Sequence, residues 1–265
     1  MKKKSVTCII QARVSSTRLP GKVLLYGYNK PLLLHLIERL KKAKFIKKII
    51  IATTIKKEDD LIVDLCKKNK IKFFRGSPTN LLDRYYKCSK KFNAKDILRI
   101  TSDCPLMDYE LVDKIIQKYF ILKSDFISNV HPPTYPDGLD IEIFNFKTLK
   151  KTFLKAKKAY EKEHVTPYMW DNNKEFKVDN YLNEDGNFYD KYRLTVDYKE
   201  DYYVISKIFN SLYKKDKYFK IEKIINFLKK NRKILINQKL IKVNWYRHHI
   251  KELKTIKKID TKKYN

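Results

Sequence analysis

Between residues 12 and 22 the chain carries three cations, Arg13, Arg18 and Lys22, beside three hydroxyls, Ser15, Ser16 and Thr17, with a Pro20-Gly21 pair near the end. Arginine forks onto paired phosphate oxygens, lysine adds a compact point charge, and hydroxyls add neutral donors. Pro-Gly sets a tight bend. Together they can hold a polyphosphate by side chains. The alternative is a solvated basic loop, but hydroxyls interleaved with cations directly after an apolar strand favour the phosphate. The five glycines, Gly21, Gly27, Gly76, Gly138 and Gly186, form neither GxxxxGK(S/T) nor GxGxxG, which excludes the P-loop and the dinucleotide loop. Asp103 and Asp197 each follow an apolar segment, where an isolated aspartate is also a common turn or helix cap. Asp140 and Glu142 alternate within DGLDIEIF and so share one strand face, either orienting ligand hydroxyls or facing water. Glu163 and His164, just before VTPY, read on their own as a surface pair at a helix start.

These residues need elements to place them. Residues 5–11, 47–53, 71–74 and 96–101 read as strands, and 31–43, 58–69, 78–92 and 109–122 as amphipathic helices. Pro31 suits a first helical turn, and 58–69 runs from acids to lysines, matching its dipole. The alternation predicts a largely parallel sheet covered on both faces. In such sheets ligands gather beyond the carboxyl ends of the strands. After residue 123 the rhythm loosens. SDFISN, LDIEIF, FKVDNY and YRLTV are expected strands; FKTLKKTFLKAKKAY, KEHVTPYMW, 199–213 and 221–230 are expected helices. With no repeat and no Gly/Ser linker, the expected organisation is one domain, 1–235, and a lysine-rich tail, 236–265.

Hydrophobic residues make up 43% of the 265, too many for a disordered chain. No apolar run approaches the roughly 18 residues that span a bilayer. The start, MKKKSVTCIIQ, lacks the apolar core and cleavage site of a signal peptide. The expectation is a cytoplasmic protein with no membrane partner. Cys8, Cys66, Cys88 and Cys104 form no CxxC pair, which argues against a zinc site and a disulfide framework. The net charge of +30 attracts polyanions. The lysines are spread along the whole chain, however, without a zinc finger, RRM signature or basic heptad, so nucleic acid is not the expected partner.

The segment ARVSSTRLPGK resembles the RxxSxRLPGK signature of the CMP-sugar-acid synthetases, nucleotidyltransferases that activate 3-deoxy-2-keto sugar acids with CTP. It is most similar to the branch of spore-coat-polysaccharide cytidylyltransferase-like proteins, which read QARxxSTRLPGKV. FFRGSPTNLLDRYY, LRITSDCPLMD, DGLDIEIF, EKEHVTPY and RLTVDYKED resemble later segments of the family, so the likeness runs at least to residue 210. It implies a three-layer α/β/α, Rossmann-like fold of the glycosyltransferase-A-like nucleotidyltransferase type, with a mostly parallel central sheet. It also implies transfer of CMP from CTP to a small acidic or sugar-acid acceptor, with pyrophosphate released, in cell-surface polysaccharide or glycoconjugate biosynthesis. The implied nucleotide contacts are Gln11, Ala12, Arg13, Ser16, Arg18, Lys22, Arg75, Gly76, Asp83, Arg84, Thr101 and Ser102. Arg18, Lys22 and Asp103 are implied in catalysis, Asp103 and Asp197 in holding Mg2+, and Asp140, Glu142, Glu163 and His164 in holding the acceptor. A homodimer formed through roughly residues 125–195 is also implied. The competing readings are a glycosyltransferase of the same fold that consumes a nucleotide sugar, and a basic nucleic-acid-binding protein.

Overall fold

The apolar run after the basic start forms β1 (Val6–Gln11). Cys8 and Ile10 enter one hydrophobic core and Ile9 the other, as a strand covered on both faces requires. The computed structural model describes residues 4–243. After β1 come the short β2 (Tyr26–Gly27) and β3 (Lys30–Pro31), then α1 (Leu32–Leu40), β4 (Ile46–Thr54), α2 (Asp60–Lys68) and β5 (Lys72–Gly76). Next are α3 (Leu81–Lys91), β6 (Asp96–Thr101) and α4 (Tyr109–Leu122). The second half adds β7 (Phe126–Ser128), β8 (Glu142–Asn145), α5 (Phe146–Lys155), α6 (Ala159–His164) and α7 (Pro167–Asp171). β9 (Val178–Asn180), α8 (Lys199–Leu212) and α9 (Ile221–Lys230) follow.

Seven strands form the central sheet in the order β5-β4-β1-β6-β8-β7-β9. β8 runs against both neighbours, and every other pair is parallel. Helices α1, α2, α4, α8 and α9 cover one face and α3, α5, α6 and α7 the other. The three-layer α/β/α arrangement and the mostly parallel sheet agree with the sequence. From β1 the chain moves outward to β4 and β5, then returns to the opposite side of β1 as β6. The crevice at such a reversal is where open sheets bind ligands, and here it lies between the ends of β1 and β6. All four cysteines are free and buried. No helix among the described residues is long and apolar enough to cross a membrane.

The second half corrects several boundaries. Residues 192–196, expected as a strand, form none; among the described residues their only β-bridge is between Asp137 and Arg193. Gly138 explains the close crossing: at φ +106°, a Cβ there would lie 2.3 Å from the Leu194 carbonyl carbon and the Thr195 nitrogen. Instead of pairing in the sheet, Leu194 N–H donates to the Asp137 carbonyl (2.7 Å) and Val196 N–H to the Asp103 carbonyl (2.9 Å). β8 begins at Glu142, leaving Asp140 in the loop before it. KEHVTPYMW breaks at Val165, with φ 71°, between α6 and α7, and FKTLKKTFLKAKKAY breaks after Lys155. Of the stretch expected as a tail, Asn237 is buried and Gln238–Lys242 make a 3-10 turn. The stretch from 244 to 265 lies outside the described residues.

On α1, His35 is buried; its Nε2–H donates to the Gly27 carbonyl, and its ring lies 4.2 Å from Phe209 and 4.9 Å from Tyr213 between centroids. Burial pushes its pKa down to about 4, against the opposing pull of the Gly27 carbonyl. The unfolded chain takes up this proton near pH 6.5. Between those values the unfolded state binds more protons, so stability is full above about pH 6.5 and falls as pH drops toward 4. Thermal melts should show Tm declining across that window, and His35→Gln should make the decline shallower.

Candidate active site

The loop after β1 is tied down at both ends. Ala12 N–H donates to the Ala52 carbonyl (3.2 Å), continuing the pairing of β1 with β4. Val14 N–H donates to Asp59 Oδ1 (2.7 Å), while the Thr54 N–H and hydroxyl both donate to Asp59 Oδ2. Asp59, fully buried, therefore fixes the loop to the end of β4. The loop then turns back: Ser16 and Gly21 N–H groups both donate to the Val14 carbonyl (2.9 Å each), and Ser16 Oγ accepts from Leu19 N–H (3.3 Å). Gly21, at φ 69°, adopts the left-handed conformation that opens a 3-10 turn at Lys22–Leu24. That turn carries Lys22 inward.

Lys22 is the centre of the site. Its ammonium donates to Asp103 Oδ2 and Asp197 Oδ1, each at 2.8 Å. Arg18 reaches the same Asp197 oxygen at 2.7 Å. Behind them Arg193, almost fully buried, spreads its guanidinium over three carboxylates: Asp137 (2.6 Å), Asp201 (3.0 Å) and the second oxygen of Asp197 (3.1 Å). Asp201 also accepts the Asp197 and Tyr198 N–H groups at the start of α8, and Asn237 Nδ2 donates to Asp201 and to the Arg193 carbonyl. Burial opposes ionisation of Asp197, but Lys22 and Arg18 outweigh it and hold the carboxyl down at about 2. Burial, with the charges of Asp197 and Asp103, lifts Asp137 to about 6 against the pull of Arg193. Burial and the neighbours Asp137, Asp103 and Glu142 push Asp140 well above the usual carboxylate range.

The cleft over this centre encloses about 890 Å³, within the size of small-molecule sites. It brings together most of the expected residues: Gln11, Ala12, Arg13, Ser16, Arg18, Lys22, Arg84, Thr101, Ser102, Asp103, Asp140, Glu142, Glu163, His164 and Asp197 all line it. Arg75, Gly76 and Asp83, expected on the nucleotide side, lie outside this lining. The Arg75 guanidinium is held by Asp60 and the carbonyls of Thr54 and Lys56, so it staples the β4–α2 turn. Asp83 pairs with Lys87 on its own helix. Gly76 packs against the Arg84 side chain, which lies 3.0 Å from where a Cβ would sit. Arg84 itself is 4% exposed, and its Nε and Nη1 have no hydrogen-bond partner among the described residues. On the other flank Arg99 pairs with Glu142 and donates to Gln11 Oε1 (3.1 Å), and the Thr166 hydroxyl donates to Glu142 (2.6 Å).

Asp59, Arg99, Asp137, Arg193 and Asp201 were not among the expected site residues. Arg193 lies in the segment RLTVDYKED, four residues before Asp197, and that spacing was the available signal. Asp59 resembled any acid at a helix start. Removing one partner of a buried charge network leaves the others uncompensated, at a cost of about 3–5 kcal/mol. Arg193→Met should therefore lose about that much stability in urea unfolding. Arg193→Lys, keeping the charge but not the planar fork, should recover part of it.

A model of the cytidylyltransferase family matches residues 7–242. The spore coat polysaccharide biosynthesis protein SpsF of Bacillus subtilis is 36% identical over 207 residues, 76% of this chain and 85% of that protein. A 3-deoxy-manno-octulosonate cytidylyltransferase of Geobacter sulfurreducens is 28% identical over 114 residues, covering 42% of this chain and 44% of that one. The structure of a cytidylyltransferase from Leptospira borgpetersenii superposes with a TM-score of 0.82 at 36% identity, covering 88% of this chain and 98% of that one. Match, fold and cleft agree: the chain belongs to the cytidylyltransferase family and is a CTP-dependent nucleotidyltransferase.

Proposed function

We propose that the protein transfers CMP from CTP to a hydroxyl of a small sugar-type acceptor, releasing pyrophosphate, in the synthesis of a cell-surface polysaccharide or glycoconjugate. One observation carries this reading. Arg84 is a buried guanidinium with unpartnered donors, and Arg13 beside it has no salt bridge among the described residues. A buried cation without a paired counter-charge, as at Arg84, is costly until an anion arrives, and a triphosphate supplies one. The acceptor oxygen bonds to the α-phosphorus as the α–β bridging bond breaks, and the hydroxyl proton is released. Negative charge grows on the departing pyrophosphate, and Arg13, Arg18 and Lys22, which line the cleft, stabilise it in this reading. The sugar acid in the name of the Geobacter relative makes that class the first acceptor to try.

Asp103 and Asp197 fit a hard divalent cation such as Mg2+, because their oxygens already converge on one positive charge, the Lys22 ammonium. Such an ion, when bound, neutralises phosphate charge and aligns the phosphate oxygens. The proposal also includes a cytoplasmic homodimer joined through roughly residues 125–195, a stretch that exposes Leu182. Light scattering should give twice the chain mass of 31.9 kDa.

Pyrophosphate release from CTP is expected with Mg2+ and a sugar-acid acceptor, and CTP should raise Tm more than UTP, ATP or GTP. Arg84→Met should weaken CTP binding about tenfold or more without lowering Tm. Asp103→Asn and Asp197→Asn should abolish the gain in CTP affinity that Mg2+ brings. Equal stabilisation by all four nucleotides, or unchanged CTP affinity in Arg84→Met, would overturn the reading.

A further inference from the structure

Every strand of the central sheet has an exposed lysine at the edge opposite the cleft. In spatial order from β5 to β9 these are Lys70, Lys44, Lys4, Lys95, Lys147, Lys123 and Lys177. Each lies within three residues of the end of its strand. The topology produces this row, because β1, β4, β5, β6, β7 and β9 all start at that edge, and β8, which runs the other way, ends there. At about 4.8 Å between neighbouring strands, the row extends about 29 Å. None of the seven is ion-paired among the described residues; the nearby pairs Lys30–Glu38, Lys67–Asp64 and Lys87–Asp83 involve other lysines. The half-buried carboxylates of this edge are engaged locally. Asp96 accepts from the Tyr119 hydroxyl (2.8 Å), Asp113 from the Lys44 and Phe45 N–H groups (2.8 and 3.1 Å), and Asp125 from Asn145 Nδ2–H and the Lys177 N–H (3.2 and 3.1 Å). Lysines scattered through the sequence are thus gathered by the fold on one edge.

Helix capping does not account for the row. Lys123 suits the end of α4, but Lys147 sits in the first turn of α5, where the dipole disfavours a cation, and Lys177 adjoins no helix end. We propose that this edge docks the protein peripherally on an anionic lipid surface and leaves the cleft facing away from it. Lysines within a Debye length of such a leaflet are attracted together. Three features favour lipid over a nucleic-acid strand. The charges are lysine point charges, with no arginine in these strand-end loops to fork onto phosphates. The nearby rings are covered rather than open for base stacking: Phe120 lies under the Lys4 ammonium, and Phe92 under Lys48 and Lys91. Ile121, 73% exposed at the end of α4 beside Lys123, is an apolar group that a lipid interface would bury. The expectation of no membrane partner came from the lack of a spanning run and a leader, and a peripheral contact needs neither. The docking edge does not depend on the chemistry of the cleft.

Sedimentation with vesicles tests this. At about 0.1 M salt, the full chain should sediment with phosphatidylcholine vesicles containing about 30% phosphatidylglycerol, and not with phosphatidylcholine alone. Lys44→Gln, Lys70→Gln, Lys95→Gln and Lys123→Gln combined should lower the partition coefficient at least about tenfold. A control with the same loss of charge elsewhere on the surface, Lys162→Gln, Lys207→Gln, Lys229→Gln and Lys230→Gln combined, should bind within about twofold of the unaltered protein. All eight lysines are exposed, so both variants should keep the Tm of the unaltered chain. Absence of binding to the anionic vesicles overturns the proposal. Equal loss in the two variants also overturns it, because net charge and not this edge would then be responsible. A single-stranded RNA oligomer held through the same four edge lysines, with no vesicle binding, overturns it in favour of a nucleic-acid partner.

Discussion

Everything in the site is arranged around one ammonium group, Lys22, held between Asp103 and Asp197. These carboxylates come from opposite halves of the chain, one at the end of β6 and one just before α8. Without a cation between them, they and Asp137 would place like charges together in a poorly hydrated crevice. Lys22 prevents that from the front and Arg193 from behind. The position of Lys22 in turn depends on the loop that carries it. Asp59 anchors that loop at Val14, and the left-handed Gly21 turns the chain so that the lysine points inward. The phosphate-type loop and the acidic pair therefore have to form together.

This mutual dependence divides the cations of the cleft into two kinds. Arg18, Lys22, Arg99 and Arg193 are ion-paired and hold the carboxylates around them. Arg13 and Arg84 are not paired, and they provide net positive potential on one flank. Burying an unpaired charge is costly, so under the proposed function the uncompensated guanidinium of Arg84 is where stability is traded for holding a phosphate. α3 makes this tolerable by keeping the side chain packed against Gly76, which leaves room because it has no Cβ.

The parallel sheet explains why such distant groups meet. β1, β4 and β6 run in the same direction, so their carboxyl ends deliver Gln11, Thr54 and Thr101 to one edge. The reversal of strand order at β1 opens the crevice there. The irregular stretch at 192–196 then closes the acidic side by crossing over Gly138 rather than by adding a strand.

Much of this was legible in the chain itself. Strands and helices of the first half follow from local periodicity, because each strand is buried on both faces and each helix on one. The loop chemistry was legible too, since cations, hydroxyls and Pro-Gly are adjacent in sequence. That Asp103 and Asp197 each follow an apolar segment was legible, but that both meet at Lys22 was not. What the sequence could not decide was which charged groups face the cleft and which face each other. Arg75 and Arg84 lie nine residues apart in one motif, yet Arg75 pairs with Asp60 while Arg84 lines the cleft. YRLTV has strand-like composition, but the close approach of Gly138 takes its backbone hydrogen bonds out of the sheet. The partners of Arg193 span residues 137 to 201, and no local pattern encodes a contact of that range. Local sequence determines secondary structure through periodicity and turn chemistry; only the packed tertiary structure determines charge pairing, because pairing depends on distances between segments far apart in the chain.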